Sequence, residues 1–310
     1  MISLLLVPLA AAAPLGEVEL VDGAPEFTSC FVEDRDTEGT CAWRFYHFLA
    51  ASMGEQGFTF AHNPVHTAAW VRPDAGLRIG AQIDTFPFGP APKNLSGKVE
   101  NTQFSPVLPR LFAGLTVGER SRGAVGLSLL PPIPVGGASA LIVGADGSLG
   151  WSREGWRFGA AVDATYAVAH APITASQAQF DDRDSLSNPD NLDPDTYEAV
   201  CGTHEDGCID RFRQISLGLR AGAASSDWVV NPYGALGLSF NASQLYVMYD
   251  DTTWAMKALQ PTLHAGATWA PVEALLLSAG GDVAAHGGAQ SEDGAAGVFW
   301  KLDGALSWRL

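Results

Sequence analysis

Gly297-Val-Phe-Trp-Lys-Leu-Asp-Gly-Ala-Leu-Ser-Trp-Arg-Leu310 is the stretch that decides the fold. Its even-numbered positions are apolar or glycine, whereas Lys301, Asp303, Ser307 and Arg309 are polar and fall on the odd positions. A strand points successive side chains to opposite faces, so one face of this strand is apolar and the other is polar. Similar alternation recurs upstream about nine times, which a closed barrel with lipid outside and a polar lumen explains best.

The alternation predicts an all-β fold, a transmembrane antiparallel up-and-down β-barrel of about ten strands, with twelve as the alternative. The predicted strands are 76–86, 107–117, 122–130, 140–152, 156–169, 211–222, 229–240, 259–269, 274–285 and 297–310. If the C-terminus is periplasmic, the connections on its side are all short, and the external ones include the long surface loop 170–210. That asymmetry supports an even strand number.

One region interrupts the pattern. After Phe240 the apolar residues change parity, because Leu245 and Val247 are odd-numbered whereas Leu236, Leu238 and Phe240 are even. Residues 241–258 are therefore interpreted as a protruding extension or a second long loop, with two extra short strands as the alternative.

Net charge and hydropathy restrict the class of partner. The formal net charge of −16 argues against binding to nucleic acid and against docking on anionic lipid. Beyond the N-terminus, no apolar run approaches the roughly 20 residues that a membrane helix needs.

The N-terminal part of the chain precedes the strands. Residues 1–13 are apolar and end in small residues, which predicts a secretory signal peptide, with a short hydrophobic strand as the alternative. Residues 14–75 are expected to form a periplasmic or plug segment, with a short helix at 42–53 where apolar residues have helical spacing. Residues 76–310 form the barrel domain.

The four cysteines form two local pairs, Cys30 with Cys41 and Cys201 with Cys208. Each pair encloses an acidic segment. In an exported protein such pairs are expected to be disulfides that hold loops together. Zinc is the alternative, and the spacing favours it less because neither pair is CxxC.

The inward parity predicts which side chains line the lumen. The predicted lumen-lining residues are Arg78, Asp84, Arg110, Asp146, Arg157, Asp163, Arg220, His264, Asp282, Lys301, Asp303 and Arg309. They fit either a salt-bridged filling of a narrow barrel or a polar pore whose walls sort solutes. Inward glycines such as Gly159 leave space for water, for the N-terminal segment or for a ligand.

The sequence contains no motif of a nucleophile activated by a base, so no catalytic residue and no enzyme activity are expected. His264 shares the lumen with Ser278, Asp282, Asp303 and Ser307, and we interpret it as a hydrogen-bonding filler. No metal site or cofactor is expected, although calcium in the acidic segment 181–206 is an alternative to a solvated loop.

The signal-like start, the alternation of short turns and long loops, and the closing aromatic strand resemble Gram-negative outer-membrane β-barrel proteins over residues 76–310. The resemblance implies an outer-membrane location among lipid and lipopolysaccharide. It also implies that the barrel-insertion machinery reads the last strand through Leu306, Trp308 and Leu310. A likeness to fatty-acid-transporter-type barrels rests on the segment before the barrel and on Asn63-Pro64.

Two functional hypotheses follow from the architecture. The first is a channel, transporter or binding barrel for small solutes. The second is a closed structural or interaction barrel that displays disulfide-tied acidic loops to an envelope or extracellular partner. Conductance or solute uptake distinguishes them.

Overall fold

The fold is described by a computed structural model over residues 16–23, 67–72, 74–85, 108–132, 139–171, 209–248, 251–286 and 297–310. These residues form eleven antiparallel strands, ten of which close into a barrel. The strands are β1 Gly16–Asp22, β2 Gly76–Asp84, β3 Leu108–Val117, β4 Ser121–Leu130, β5 Ser139–Arg153, β6 Trp156–Ala171, β7 Asp210–Ser225, β8 Val230–Val247, β9 Thr252–Val272, β10 Leu275–His286 and β11 Gly297–Arg309.

The barrel closes where its last strand meets its first. β11 pairs with β2, and Trp308 lies opposite Ile79 at this seam. Every other pair in the wall joins strands that follow each other in the chain, up to β8 with β9 and β9 with β10. The predicted ten-stranded up-and-down barrel is therefore confirmed.

The outer face of the barrel is an apolar belt. Large apolar side chains such as Leu127 and Leu149 are exposed on it, Leu149 to 72 % of its surface. Leaving apolar area in water costs about 25 cal/mol per Å², so a belt that surrounds the barrel indicates surrounding hydrocarbon. No helix in the described part of the chain is both long and apolar enough to span a bilayer.

The short turns all lie at one end of the barrel. They are 118–120, 154–155, 226–229 and 273–274. The turn between β5 and β6 places Glu154 at φ 49° and Gly155 at φ 78°, as a two-residue primed hairpin requires. The exposed Trp151 and Trp156 flank this turn, where an interfacial aromatic belt is expected.

The described residues within 241–258 form a strand hairpin and not a loop. β8 continues to Val247 and β9 begins at Thr252, so both strands extend past the neighbouring β10. The predicted change of parity is wrong: Leu245 and Val247 are buried on the same inward face as Ser239 and Asn241. What changes along β8 is the polarity of the interior, which turns from polar to apolar towards the external end.

β1 is a strand that the sequence did not predict. It pairs antiparallel with the protruding part of β9, from Gly16 opposite Ala258 to Leu20 opposite Trp254. The pairing of β9 with β10 ends at Thr262, so β1 takes the free edge beyond it. Because β1 spans only seven residues, its alternation is too short to stand out in the sequence.

Candidate functional site

The interior of the barrel is the candidate site, and it contains most of the residues predicted for the lumen. Eleven of these side chains are buried, namely Arg78, Asp84, Arg110, Asp146, Arg157, Asp163, Arg220, His264, Asp282, Lys301 and Asp303. The twelfth, Arg309, is 37 % exposed at the short-turn end.

A group of buried charges, called here the central cluster, joins β2, β3, β9, β10 and β11. Its members are Asp84, Arg110, His264, Asp282, Lys301 and Asp303. Arg110 Nε lies 3.0 Å from Asp84 Oδ2. Lys301 Nζ lies 3.9 Å from Asp84 Oδ1 and 3.4 Å from Asp282 Oδ2. Because desolvated charges are costly unless paired, this alternation of sign is what allows the cluster to be buried.

His264 connects the cluster to Tyr233 on β8. Its Nδ1 lies 2.7 Å from Asp282 Oδ1, and its Nε2 lies 3.2 Å from the Tyr233 hydroxyl. The two rings stack with centroids 5.3 Å apart. The ring is therefore held on both nitrogens, in agreement with a hydrogen-bonding filler.

Three residues of the central cluster have the chemistry of metal ligands. His264, Asp282 and Asp303 each offer a ligand atom, and these atoms lie within 4.8 Å of one another. However, the Lys301 ammonium already supplies a positive charge 3.4 Å from Asp282. The side chains of the central cluster can therefore neutralise one another as ion pairs.

The opposite wall of the lumen carries a second ion pair. Arg220 Nη2 lies 3.2 Å from Asp163 Oδ1. Gly218 makes room for this carboxylate, since a Cβ at that position would lie 2.5 Å from Asp163 Oδ1. On the neighbouring strands, Asn241 donates to Gln260 Oε1 at 2.6 Å. Direct contacts of this kind between side chains narrow the lumen.

A short segment before β2, called here the plug segment, lies inside the barrel. It comprises residues 67–72, all of which are buried. The Thr67 hydroxyl donates to Asp146 Oδ1 at 2.7 Å, and the Ala69 amide donates to Ser148 Oγ at 2.9 Å. Both acceptors are on β5, so this wall fixes the start of the segment.

Arginines fix the other end of the plug segment. Arg72 Nη1 donates to the Gly114 carbonyl at 2.6 Å and to Thr116 Oγ1 at 2.9 Å, both on β3. Its own carbonyl accepts from Arg122 Nη1 and from Arg157 Nη1, each at 2.6 Å. Burial lowers the pKa of the Arg72 guanidinium to about 10, which leaves it charged at neutral pH.

Glycines in the wall make space for Trp70, the largest side chain of the plug segment. A Cβ at Gly222 would lie 2.6 Å from Trp70 Nε1, and one at Gly159 would lie 2.8 Å from the indole ring. The indole packs in a buried group with Ala161, Ala224 and Tyr233. The space predicted beside Gly159 is therefore occupied by the N-terminal segment. Trp70, Arg72, Arg122 and Tyr233 were not among the predicted site residues.

The interior is layered along the barrel axis. The plug segment lies nearest the short turns, and the central cluster lies above it. At the external end the inward side chains become apolar, and they include Leu245, Val247, Trp254 and Met256. A solute passing from the external end would meet apolar, charged and plugged layers in that order.

The ion pairs at the short-turn end give a contrast between a buried and an exposed arginine. Arg78 is buried and donates to Asp74 and to the Glu273 carbonyl. Arg309 reaches the same Asp74 at 3.1 Å from a partly exposed position. We expect Arg309→Gln to change the free energy of unfolding by less than about 1 kcal/mol, and Arg78→Gln by about 3 kcal/mol. Urea unfolding in lipid vesicles measures both, and equal losses would contradict this view.

Several predicted features lie outside the described residues. They are the signal peptide 1–13, the helix 42–53, Asn63-Pro64, the cysteines Cys30, Cys41, Cys201 and Cys208, and the acidic segment 181–206. The disulfides and the calcium alternative stay predictions. Of the proposed assembly signal, Leu306, Trp308 and Leu310 are exposed on the outer face. Recognition of these three residues by the barrel-insertion machinery also stays a prediction.

Comparisons with known proteins give likenesses of fold alone. No family model matches the sequence, and no curated protein matches it. Neisserial surface protein A is 12 % identical with a TM-score of 0.31, over 76 % of this chain and 98 % of its own. The outer membrane protease OmpT from Escherichia coli is 8 % identical with a TM-score of 0.39, over 80 % and 100 %. The translocator domain of the autotransporter NalP from Neisseria meningitidis is 8 % identical with a TM-score of 0.37, over 86 % and 97 %.

The geometry of the chain itself defines its class. A closed antiparallel wall leaves no unpaired strand edge in hydrocarbon, and the exposed belt is apolar while the lumen is polar. Short turns at one end and an even number of strands complete the pattern of bacterial outer-membrane barrels. The chain has the architecture of a transmembrane β-barrel of the outer-membrane type.

Proposed function

We propose that the barrel binds small solutes and admits them through a lumen that the plug segment closes at the short-turn end. The observation that carries the proposal is the position of residues 67–72, buried in the lumen and bonded to β3, β4, β5 and β6. Hydrogen bonds and packing hold the plug segment against these strands. A solute can replace such contacts with its own while the pairing between the strands stays intact.

Packing holds the largest side chain of the plug segment. Among the described residues, the buried Trp70 Nε1 has no hydrogen-bond partner, and the indole lies with Ala161, Ala224 and Tyr233. Contacts of this kind can be replaced by the apolar part of a solute.

The layers of the lumen favour a class of solute. The charged layer contains both signs in contact with each other, so it gives no strong selection for cations or anions. The external layer is apolar. Both features favour small solutes with an apolar part and little net charge.

Single-channel conductance and solute uptake test the proposal. The variant Arg72→Met removes the bonds to Gly114 and Thr116 while keeping an unbranched side chain. We expect it to open more often than the unchanged protein in a planar bilayer and to speed uptake of small neutral solutes into vesicles. Arg213→Met is the matched control, because Arg213 is exposed on the outward face of β7. Silence and unchanged uptake in every form would exclude transport through the lumen.

The second candidate is a closed barrel that displays its external parts to an envelope or extracellular partner. The observation that favours it is the protruding hairpin of β8 and β9 with β1 added at its edge. Here the buried ion pairs would only stiffen the wall. Shortening the hairpin by residues 244–255 should then abolish partner binding and leave uptake unchanged, whereas a transport barrel should show changes in uptake.

A further inference from the structure

Tyr233 on β8 lies where the plug segment meets the central cluster. Its side chain is buried and packs in one group with Trp70 and Val71 of the plug segment. The same ring stacks on the His264 imidazole, with centroids 5.3 Å apart and an angle of 9° between the planes. Its hydroxyl lies 3.2 Å from His264 Nε2. One side chain therefore belongs to both layers of the lumen.

Two glycines in the wall make the recess in which the Tyr233 phenol lies. Gly266 is opposite Tyr233 in the pairing of β8 with β9, and a Cβ there would lie 2.5 Å from the Tyr233 hydroxyl oxygen. A Cβ at Gly280 on β10 would lie 2.7 Å from the same oxygen. The phenol therefore extends across β9 towards β10. The recess holds its hydroxyl beside His264, because a side chain at either glycine would displace it.

His264 links the position of Tyr233 to the charges of the central cluster. The imidazole Nδ1 lies 2.7 Å from Asp282 Oδ1, and Nε2 lies 3.8 Å from Asp303 Oδ2. Lys301 Nζ shares Asp282 at 3.4 Å. Because buried charges are tolerated only in good pairing geometry, a shift of the imidazole would disturb the contacts of both carboxylates.

We propose that Tyr233 is a positioning residue that couples the plug segment to the central cluster. While Trp70 and Val71 pack with Tyr233, the phenol stays in its recess and holds His264 against Asp282. When the plug segment leaves, the phenol loses this packing and can turn into the space that the indole vacates, which loosens His264. The inference rests on the proposed function and deepens it, because the two layers of the lumen then yield together when a solute displaces the plug segment.

The coupling has a consequence that can be measured in the plug segment itself. Coupling between two sites is reciprocal, so a change at His264 must also loosen residues 67–72. Without coupling, substitutions at sites that share no partner act independently. Amide hydrogen exchange of residues 67–72 distinguishes these cases, since the Ala69 amide donates to Ser148 Oγ only while the segment is in place.

Hydrogen exchange of the full-length protein in lipid nanodiscs, followed by mass spectrometry over residues 67–72, tests the proposal. We expect His264→Gln to speed this exchange by about fivefold or more, the lower end of typical couplings between sites. The effect should be smaller in a Tyr233→Phe background, which keeps the ring and lacks the hydroxyl, and absent in a Tyr233→Leu background. Gln260→Met is the matched control, because Gln260 is also buried on β9 but bonds to Asn241. It should leave the exchange unchanged.

Three outcomes would overturn the inference. The first is equal exchange in His264→Gln and in the unchanged protein. The second is an equal effect of His264→Gln whichever residue stands at position 233. The third is faster exchange in Gln260→Met, which would show a general loosening of the barrel. Tyr233→Phe removes a single hydroxyl, so it keeps the test decisive if Tyr233→Leu does not fold.

The exchange experiment needs no transport through the lumen, so it separates this inference from the proposed function. Coupled exchange without current or uptake in any variant would support the role of Tyr233 and contradict transport. Current in Trp70→Ala without coupled exchange would contradict the role of Tyr233 and leave transport in place.

Discussion

Replacing Asp84 by alanine is expected to lower the free energy of unfolding of the barrel by about 3–5 kcal/mol. Asp84 is fully buried and neutralises Arg110 at 3.0 Å, with Lys301 at 3.9 Å and a hydrogen bond from the Gln82 amide. Without the carboxylate, two buried cations lose their shared counter-ion. Urea unfolding in lipid vesicles, followed by tryptophan fluorescence, measures the loss.

A pair of controls separates charge from packing in this experiment. Asp84→Asn keeps the shape of the side chain and removes only its charge. We expect it to lower the free energy of unfolding by most of the amount that Asp84→Ala does. The double variant Asp84→Leu with Arg110→Met replaces a buried pair by apolar side chains, which is often nearly neutral. If the double variant were as unstable as Asp84→Ala, shape and not charge would govern this site.

The wall of the barrel could be predicted because its physics is local. Each strand must present an apolar face to lipid and a polar face to the lumen, so Leu77 and Arg78 are assigned to opposite faces by position alone. The alternation of short turns and long loops then supports an even number of strands. The pairing of β11 with β2 follows because a barrel in hydrocarbon leaves no open edge.

The same reasoning fails where the surroundings stop being a bilayer. Beyond the membrane, lipid no longer lies outside the wall, so the interior of β8 can become apolar at Leu245 and Val247. The alternation survives while its polarity inverts, which the sequence alone presents as a shift of register. The position along β8 at which the inward side chains change from polar to apolar therefore indicates where the bilayer ends.

Periodicity could not identify which residues of the predicted periplasmic or plug segment 14–75 enter the lumen. Residues 67–72 form no long strand or helix, and their burial comes from recesses and acceptors on strands far away in sequence, such as Gly222 and Ser148. The partial signal was the excess of inward glycines. Those glycines predicted an occupant for the space, but not that Trp70 would be that occupant.

Replacing Trp70 by alanine is expected to open the barrel at its short-turn end. Trp70 is fully buried over Gly159 and Gly222, and truncation of a buried tryptophan costs about 3–5 kcal/mol. If about 3 kcal/mol of that loss destabilises the plug segment in the lumen relative to the displaced plug segment, the population of the displaced state rises about a hundredfold. Planar-bilayer recordings should then show a higher open probability, with a current absent or rare in the unchanged protein.

The matched control for this variant is Trp151→Ala, which removes the same side chain from the outer face at the same end of the barrel. It should alter anchoring in the membrane and leave the open probability unchanged. A second route to displacement is Gly126→Val, because a Cβ there would lie 2.5 Å from Thr67 Cβ and 2.2 Å from the Asp146 carboxylate that binds Thr67. Agreement between Trp70→Ala and Gly126→Val would identify displacement of residues 67–72 as the opening step. Current in neither variant, with both still folded, would mean that the central cluster closes the lumen by itself, because Asp84, Arg110 and Lys301 remain paired when the plug segment leaves.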